Sequence, residues 1–185
     1  METVYVIAIV GLAALAVAGW YISTINSFAR LAVKITESDS GIDVALTKRF
    51  DTLTKTLDVC KAYAKHEAET LAQLVKLRKG MNVDEKSEAS RQMDEVTGRI
   101  NVLAEAYPEL KSSENFKQLQ LTIADVEEHL QAARRIYNMN VSYFNQMLAA
   151  FPSGMVGRGQ GHAPKGFFEA EQRKREDVKM DFSVS

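Results

Sequence analysis

The sequence predicts an all-α protein in which an N-terminal transmembrane helix leads into an antiparallel bundle of long helices. Three observations predict it. The first is a run without charge, Val4 to Ile22, near the start of the chain. The second is a scarcity of helix breakers: 185 residues hold three prolines and ten glycines, and four of the glycines fall between Gly154 and Gly161. The third is an apolar repeat in alternating steps of four and three, which is the seam of a left-handed bundle or coiled coil. The chain divides on this reading into an anchor over residues 1–25, a long-helix bundle over 26–152, and a glycine-rich loop with a C-terminal tail over 153–185.

The anchor is justified by length. A helix needs about 20 apolar residues to cross a hydrocarbon core, and Val4–Ile22 is apolar all round. Tyr5 at one end and Trp20 and Tyr21 at the other occupy the two interfaces, where amphipathic rings are favoured. Ala16 and Ala18 form an A-x-A pattern, but Met1–Thr3 carries Glu2 and no Lys or Arg, so a retained anchor is expected over a cleaved signal. Arg30, Lys34, Lys48 and Arg49 follow the span and no base precedes it. The positive-inside rule then puts Met1 outside and the bulk of the chain in the cytoplasm, as a single-pass protein of the inner (plasma) membrane.

The first body helix carries Leu46, Phe50, Leu53, Leu57, Cys60, Ala64, Leu71 and Leu74 on its seam, interrupted at Glu67. Either Asp39 or Ser40 caps its start, or the helix runs straight on from the anchor. Lys79, Gly80 and Asn82 end it. A second helix runs from about Asp84 to Tyr107, on the seam Met93, Val96, Ile100 and Leu103, and Pro108 stops it. Ser112 or Ser113 caps a third, whose seam from Phe116 to Phe151 includes Asn140 and ends at Pro152. Short connections make successive helices antiparallel.

At 1.5 Å per residue the three body helices measure roughly 55, 35 and 58 Å. In an up-down-up path the third overshoots by roughly 20 Å. The overhang carries Tyr143, Phe144, Met147, Leu148 and Phe151, so the returning tail or another subunit is expected to cover it. In the tail, Phe167 and Phe168 face different ways, residues 169–176 suit two helical turns, and Val178, Met180, Phe182 and Val184 alternate like a strand.

Composition excludes several functions. Beyond Ile22 there are 23 basic and 23 acidic residues, a balance that gives no footprint for nucleic acid. No cofactor or metal site is legible: His66 and His129 lack the Glu-x-x-His partner of a di-iron bundle, and "HEAET" lacks the second His of a zinc protease. Cys60 lies on the seam and reads as a small core residue. Arg134 and Arg135 follow Asp125, Glu127 and Glu128, which suits a salt-bridged surface.

The segments "DVALTKRFDTL", "AYAKHE", "AEAYPELKSSENFKQLQ", "ARRIYN", "YFNQMLAAFPS" and "FFEAE" stand in the chain in that order. Together they resemble the LemA family of bacterial membrane proteins. The resemblance implies an N-terminal anchor, a short outside N-terminus, a cytoplasmic helical bundle, no enzymatic activity, and an association in some members with membrane proteases. A proline usual in the family after the "KRFD" position is missing, where Thr52, Leu53 and Thr54 stand, which favours a continuous first body helix. The expected function is a membrane scaffold, anchored in the lipid bilayer, that self-assembles into a homo-oligomer through Tyr143, Phe144, Met147, Phe151, Phe167 and Phe168. The alternative is a monomeric or dimeric adaptor that recruits a membrane protease or signalling partner.

Overall fold

A computed structural model describes residues 1–74 and 77–168. The chain is helical: α1 (Glu2–Cys60), α2 (Lys65–Ala72), α3 (Val83–Ala106), α4 (Pro108–Ser112), α5 (Glu114–Ala149) and α6 (Ser153–Gly159). Among the described residues there is no strand. The helical turns expected over 169–176 and the strand-like alternation over 178–184 lie outside them.

Helix α1 passes through Gly41 without a break, so neither Asp39 nor Ser40 caps a new helix. A mid-helix glycine costs about 1 kcal/mol, too little to stop a helix whose Ile35, Ser38, Ile42 and Leu46 are all buried. It also passes Thr52–Thr54 unbroken, and Thr52, Thr54 and Thr56 each donate a hydroxyl back to the carbonyl four residues earlier.

The first body helix nevertheless ends early. At Cys60 the hydrogen bonding tightens, Ala62 and Tyr63 donating to the carbonyls of Val59 and Cys60, three residues back. α2 then folds back along α1, and its Ala72 shares a small cleft with Phe50, Leu53, Thr54 and Leu57. The turn comes at Lys61–Ala64 and not at Lys79–Asn82 as expected. The interruption at Glu67 marks the change: Glu67 is exposed and Ala68 takes the buried position.

The described chain forms two compact units, Met1–Gly41 with Arg135–Phe167, and Ile42–Arg134 with Phe168. Compactness thus divides the chain elsewhere than at residues 25 and 152. In the second unit α3 runs parallel to α1, since Lys86 pairs with Asp43 at 2.8 Å and Ser90 lies beside Arg49 further along both helices. α5 runs antiparallel to α3: Gln120 meets Asn101 at 3.1 Å, and Arg134 reaches Ser90. Leu46, Leu53, Met93, Val96, Ile100, Val126 and Leu130 fill the core. Asn82 begins α3 with a capping box, its Oδ1 accepting from the N–H groups of Asp84 and Glu85 while Glu85 accepts from its own N–H. That backbone N–H, with the Arg78 guanidinium behind it, holds the Glu85 carboxyl below the usual carboxylate range.

In the first unit α5 descends antiparallel to α1. Asn140 donates to the Lys34 carbonyl at 3.3 Å and to the Ser38 hydroxyl at 3.2 Å, and Phe144 meets Phe28 edge-on at 5.6 Å between centroids. The stripe expected to overhang is therefore partly covered by α1 itself, because α1 extends past Gly41 toward the N-terminus. The glycine-rich stretch, expected as a flexible loop, forms α6 over Ser153–Gly159. Glycine there permits close approach: a Cβ on Gly154 would lie 2.2 Å from the Leu148 carbonyl oxygen, and one on Gly157 would lie 2.5 Å from Phe28 Cζ. Composition suggested mobility where the residues serve packing.

Candidate functional site

Three places in the chain gather chemistry. The first is the apolar stretch of α1. By length and composition it suffices to cross a membrane, and the window that qualifies has no buried residue. Tyr5, Trp20 and Tyr21 are exposed, available to two interfaces. Val10, Ala13, Ala14, Val17 and Ala18 line a shallow apolar groove that reaches Trp20 and Tyr21.

The second is a polar network inside the second unit. Arg49 of α1 is buried. Its guanidinium pairs with Asp94 of α3 and, at 3.0 Å, with Glu127 of α5, and donates to the Ser90 carbonyl and hydroxyl at 3.3 Å each. Arg134 also donates to the Ser90 hydroxyl and lies 4.9 Å from the centroid of Phe168. One guanidinium, that of Arg49, thus meets two carboxylates, which its planar, forked geometry suits. Such a set ties three helices at one register, since a one-residue slip separates every pair. Among the described residues no group of three or more His, Cys, Asp and Glu side chains is placed to hold a metal ion.

The third is an aromatic cluster in the first unit. The His162 ring lies 5.0 Å from Phe28 and 5.4 Å from Phe144, and Lys165 Nζ sits 5.5 Å from the Phe144 centroid. The segment from His162 then follows α5: Asn145 exchanges hydrogen bonds with the Lys165 backbone at 2.9 Å, and the Tyr137 hydroxyl donates to the Gly166 carbonyl at 3.2 Å. The returning tail is one of the two covers expected for the stripe.

This places the six expected assembly residues. Phe144 is buried in the aromatic cluster and Phe168 is buried against Arg134, so neither presents a surface. The reason is the same for both: the chain's own side chains cover them, Phe28 and His162 over Phe144 and Arg134 over Phe168. Tyr143, Phe151 and Phe167 are exposed and Met147 is half-buried. The exposed apolar row on α5 is Ile136, Met139 and Tyr143, at steps of three and four. It lies on a different face from buried Tyr137, Val141, Phe144 and Leu148. Seam counting follows one stripe and so passes over a second.

Cys60 is fully buried, and burial pushes its thiol from 9.0 up to about 11. The folded state therefore prefers the protonated thiol. Its contribution to stability is fully present below pH 9 and is lost as pH rises towards 11. A disulfide-exchange reagent at neutral pH should label Cys60 only as fast as the protein unfolds. Labelling of the native protein at the rate of a free thiol would contradict the packing.

The LemA family model matches residues 38–182. Protein LemA of Metamycoplasma hominis is 29% identical over 163 residues, covering 85% of this chain and 74% of that protein.

Proposed function

We propose, from the premise that the chain belongs to the LemA family, that it is a non-catalytic scaffold which stays anchored in the membrane and assembles with copies of itself. The observation that carries the reading is the second apolar face of α5. Tyr143 is 55% exposed, and Ile136 and Met139 beside it are exposed to a similar degree. Apolar area left in water costs about 25 cal/mol per Å², so a row of this kind on a membrane-anchored chain favours a partner. Anchors confined to one plane raise the effective concentration of like surfaces. The charges after the span favour an orientation with Met1 outside and the bulk of the chain in the cytoplasm, at the inner membrane.

The test is the mass of the full-length protein extracted in mild detergent. A multi-subunit particle is expected, and Tyr143→Asp should shift it to monomer with its helical content unchanged. A wild-type monomer would overturn the reading. So would a particle that Tyr143→Asp leaves intact. A foreign protein co-purifying in fixed ratio with a wild-type monomer would favour the adaptor.

A further inference from the structure

The register within the first unit puts the lower end of α5 at the level of the membrane interface. Phe144 of α5 meets Phe28 of α1. The two helices run in opposite directions there, and α5 ends at Ala149, five residues beyond Phe144. Five residues before Phe28 is Ser23, the neighbour of Ile22, where the apolar run of α1 ends. Thr24 and Leu148 agree with this register, since both are buried at that level.

Phe151 follows directly. It is 84% exposed, and Met155 on α6 is 62% exposed. α6 then returns, because Gly157 packs on Phe28 and Leu148. The turn between α5 and α6 is thus the part of this unit's returning chain that reaches closest to the span. Residues 146–157, "QMLAAFPSGMVG", contain no charge.

Charge on either side is one-sided. Between Thr3 and Thr36, and between Arg135 and Phe167, there is no Asp or Glu. Those segments carry Arg30, Lys34, Arg158 and Lys165, all exposed, behind the apolar turn. An exposed aromatic tip with a basic collar is the arrangement that binds a bilayer containing anionic lipid, the tip entering the boundary of headgroup and acyl chain and the collar meeting the negative surface.

We propose that the turn bearing Phe151 and Met155 is a second membrane contact, seated in the interface of an anionic bilayer beside the Trp20–Tyr21 end of the span. The proposal rests on the reading that the span is retained. Two contacts, the span and the turn, fix the angle at which the first unit leaves the membrane, where a single helix leaves it free to tilt.

Trp20 is the sole tryptophan, which makes the test direct. Full-length protein is placed in vesicles of phosphatidylcholine and phosphatidylglycerol brominated high on the acyl chains. Wild type reports on Trp20. In a Trp20→Phe background, Phe151→Trp reports on the turn and Leu121→Trp on an exposed position thirty residues earlier in the chain. Several-fold quenching of Trp20 and of the tryptophan at 151, with none at 121, is expected. Quenching at 151 should weaken in phosphatidylcholine alone, and equal quenching in both would overturn the anionic preference. Quenching of Trp20 without quenching at 151 would overturn the contact while leaving the span. A blue-shifted but unquenched tryptophan at 151 would overturn it in favour of another copy of the chain. No quenching at either position would overturn span and contact together.

Discussion

Arg49→Ala should lower the stability of the second unit by about 3 kcal/mol, the largest effect expected of a single side chain. The Arg49 side chain is 4% exposed, and its partners Asp94 and Glu127 are 30% and 24% exposed. Truncation leaves two half-buried carboxylates on neighbouring helices with no cation between them, and removes two hydrogen bonds to Ser90. Breaking a buried pair by deleting one partner costs about 3–5 kcal/mol. The lower figure is chosen because water still reaches the carboxylates and screens them. For a chain of this size the melting midpoint should fall by roughly 10 °C, followed by helical circular dichroism of the detergent-solubilised protein. Arg49→Lys should fall between, since an ammonium keeps the charge but cannot fork to two carboxylates and a carbonyl. A melting curve for Arg49→Ala that overlays the wild type would show that the network contributes no stability.

The network also marks where the sequence was legible and where it was not. The apolar seams were readable because burial imposes a period on each helix, and Leu46, Met93, Ile100 and Val126 lie in the core the period predicts. Along the sequence Arg49 is only one of the bases after the span. Its partners sit at positions 94 and 127, on two other helices, and no spacing along the chain brings them together. The break after Cys60 has no glycine or proline to announce it; one misplaced residue, Glu67, was the whole signal. Missing that break reversed the direction of α3 relative to α1. The Asn82–Glu85 spacing of the capping box stands in the sequence too, but Asn82 reads there as the end of the first body helix and not as the cap of α3. Phe144 falls on an overhang only when the first body helix is measured from Gly41. Once α1 is continuous through Gly41, its Phe28 lies ready to cover Phe144. The row Ile136, Met139 and Tyr143 was obscured for another reason. An apolar repeat with two faces reads as one broad seam, and only the packing tells which face is left in water.

Gly154→Ala should detach α6, and it tests whether the glycine-rich stretch is packed as tightly as its geometry requires. The added methyl would lie 2.2 Å from the carbonyl oxygen of Leu148 and 3.1 Å from its carbonyl carbon. Those are backbone atoms of α5's last turns, so they cannot swing aside as a side chain does. Overpacking of this kind costs about 1–3 kcal/mol, and the upper end applies where the obstacle is main chain. Gly157→Ala should be milder, because the atoms it meets, Phe28 Cζ at 2.5 Å and Leu148 Cδ1 at 2.8 Å, belong to side chains, whose shift leaves the main chain in place. Gly159→Ala should be silent, since nothing lies within 4 Å of its added carbon. Cleavage by trypsin after Arg158 reports on all three. In the wild type Arg158 Nη1 donates to the Leu148 carbonyl at 3.1 Å, which ties the residue to α5. The expected order of cleavage is Gly154→Ala fastest, Gly157→Ala next, and Gly159→Ala equal to wild type. Equal cleavage of Gly154→Ala and Gly159→Ala would mean that α6 is not seated on Leu148. If Gly154→Ala does release α6, the turn bearing Phe151 loses its position as well, because Gly154 holds the chain against α5 three residues after it. Lipid quenching of a tryptophan at 151 should then fall in the same variant that gains cleavage at 158, so that one backbone contact governs both readouts.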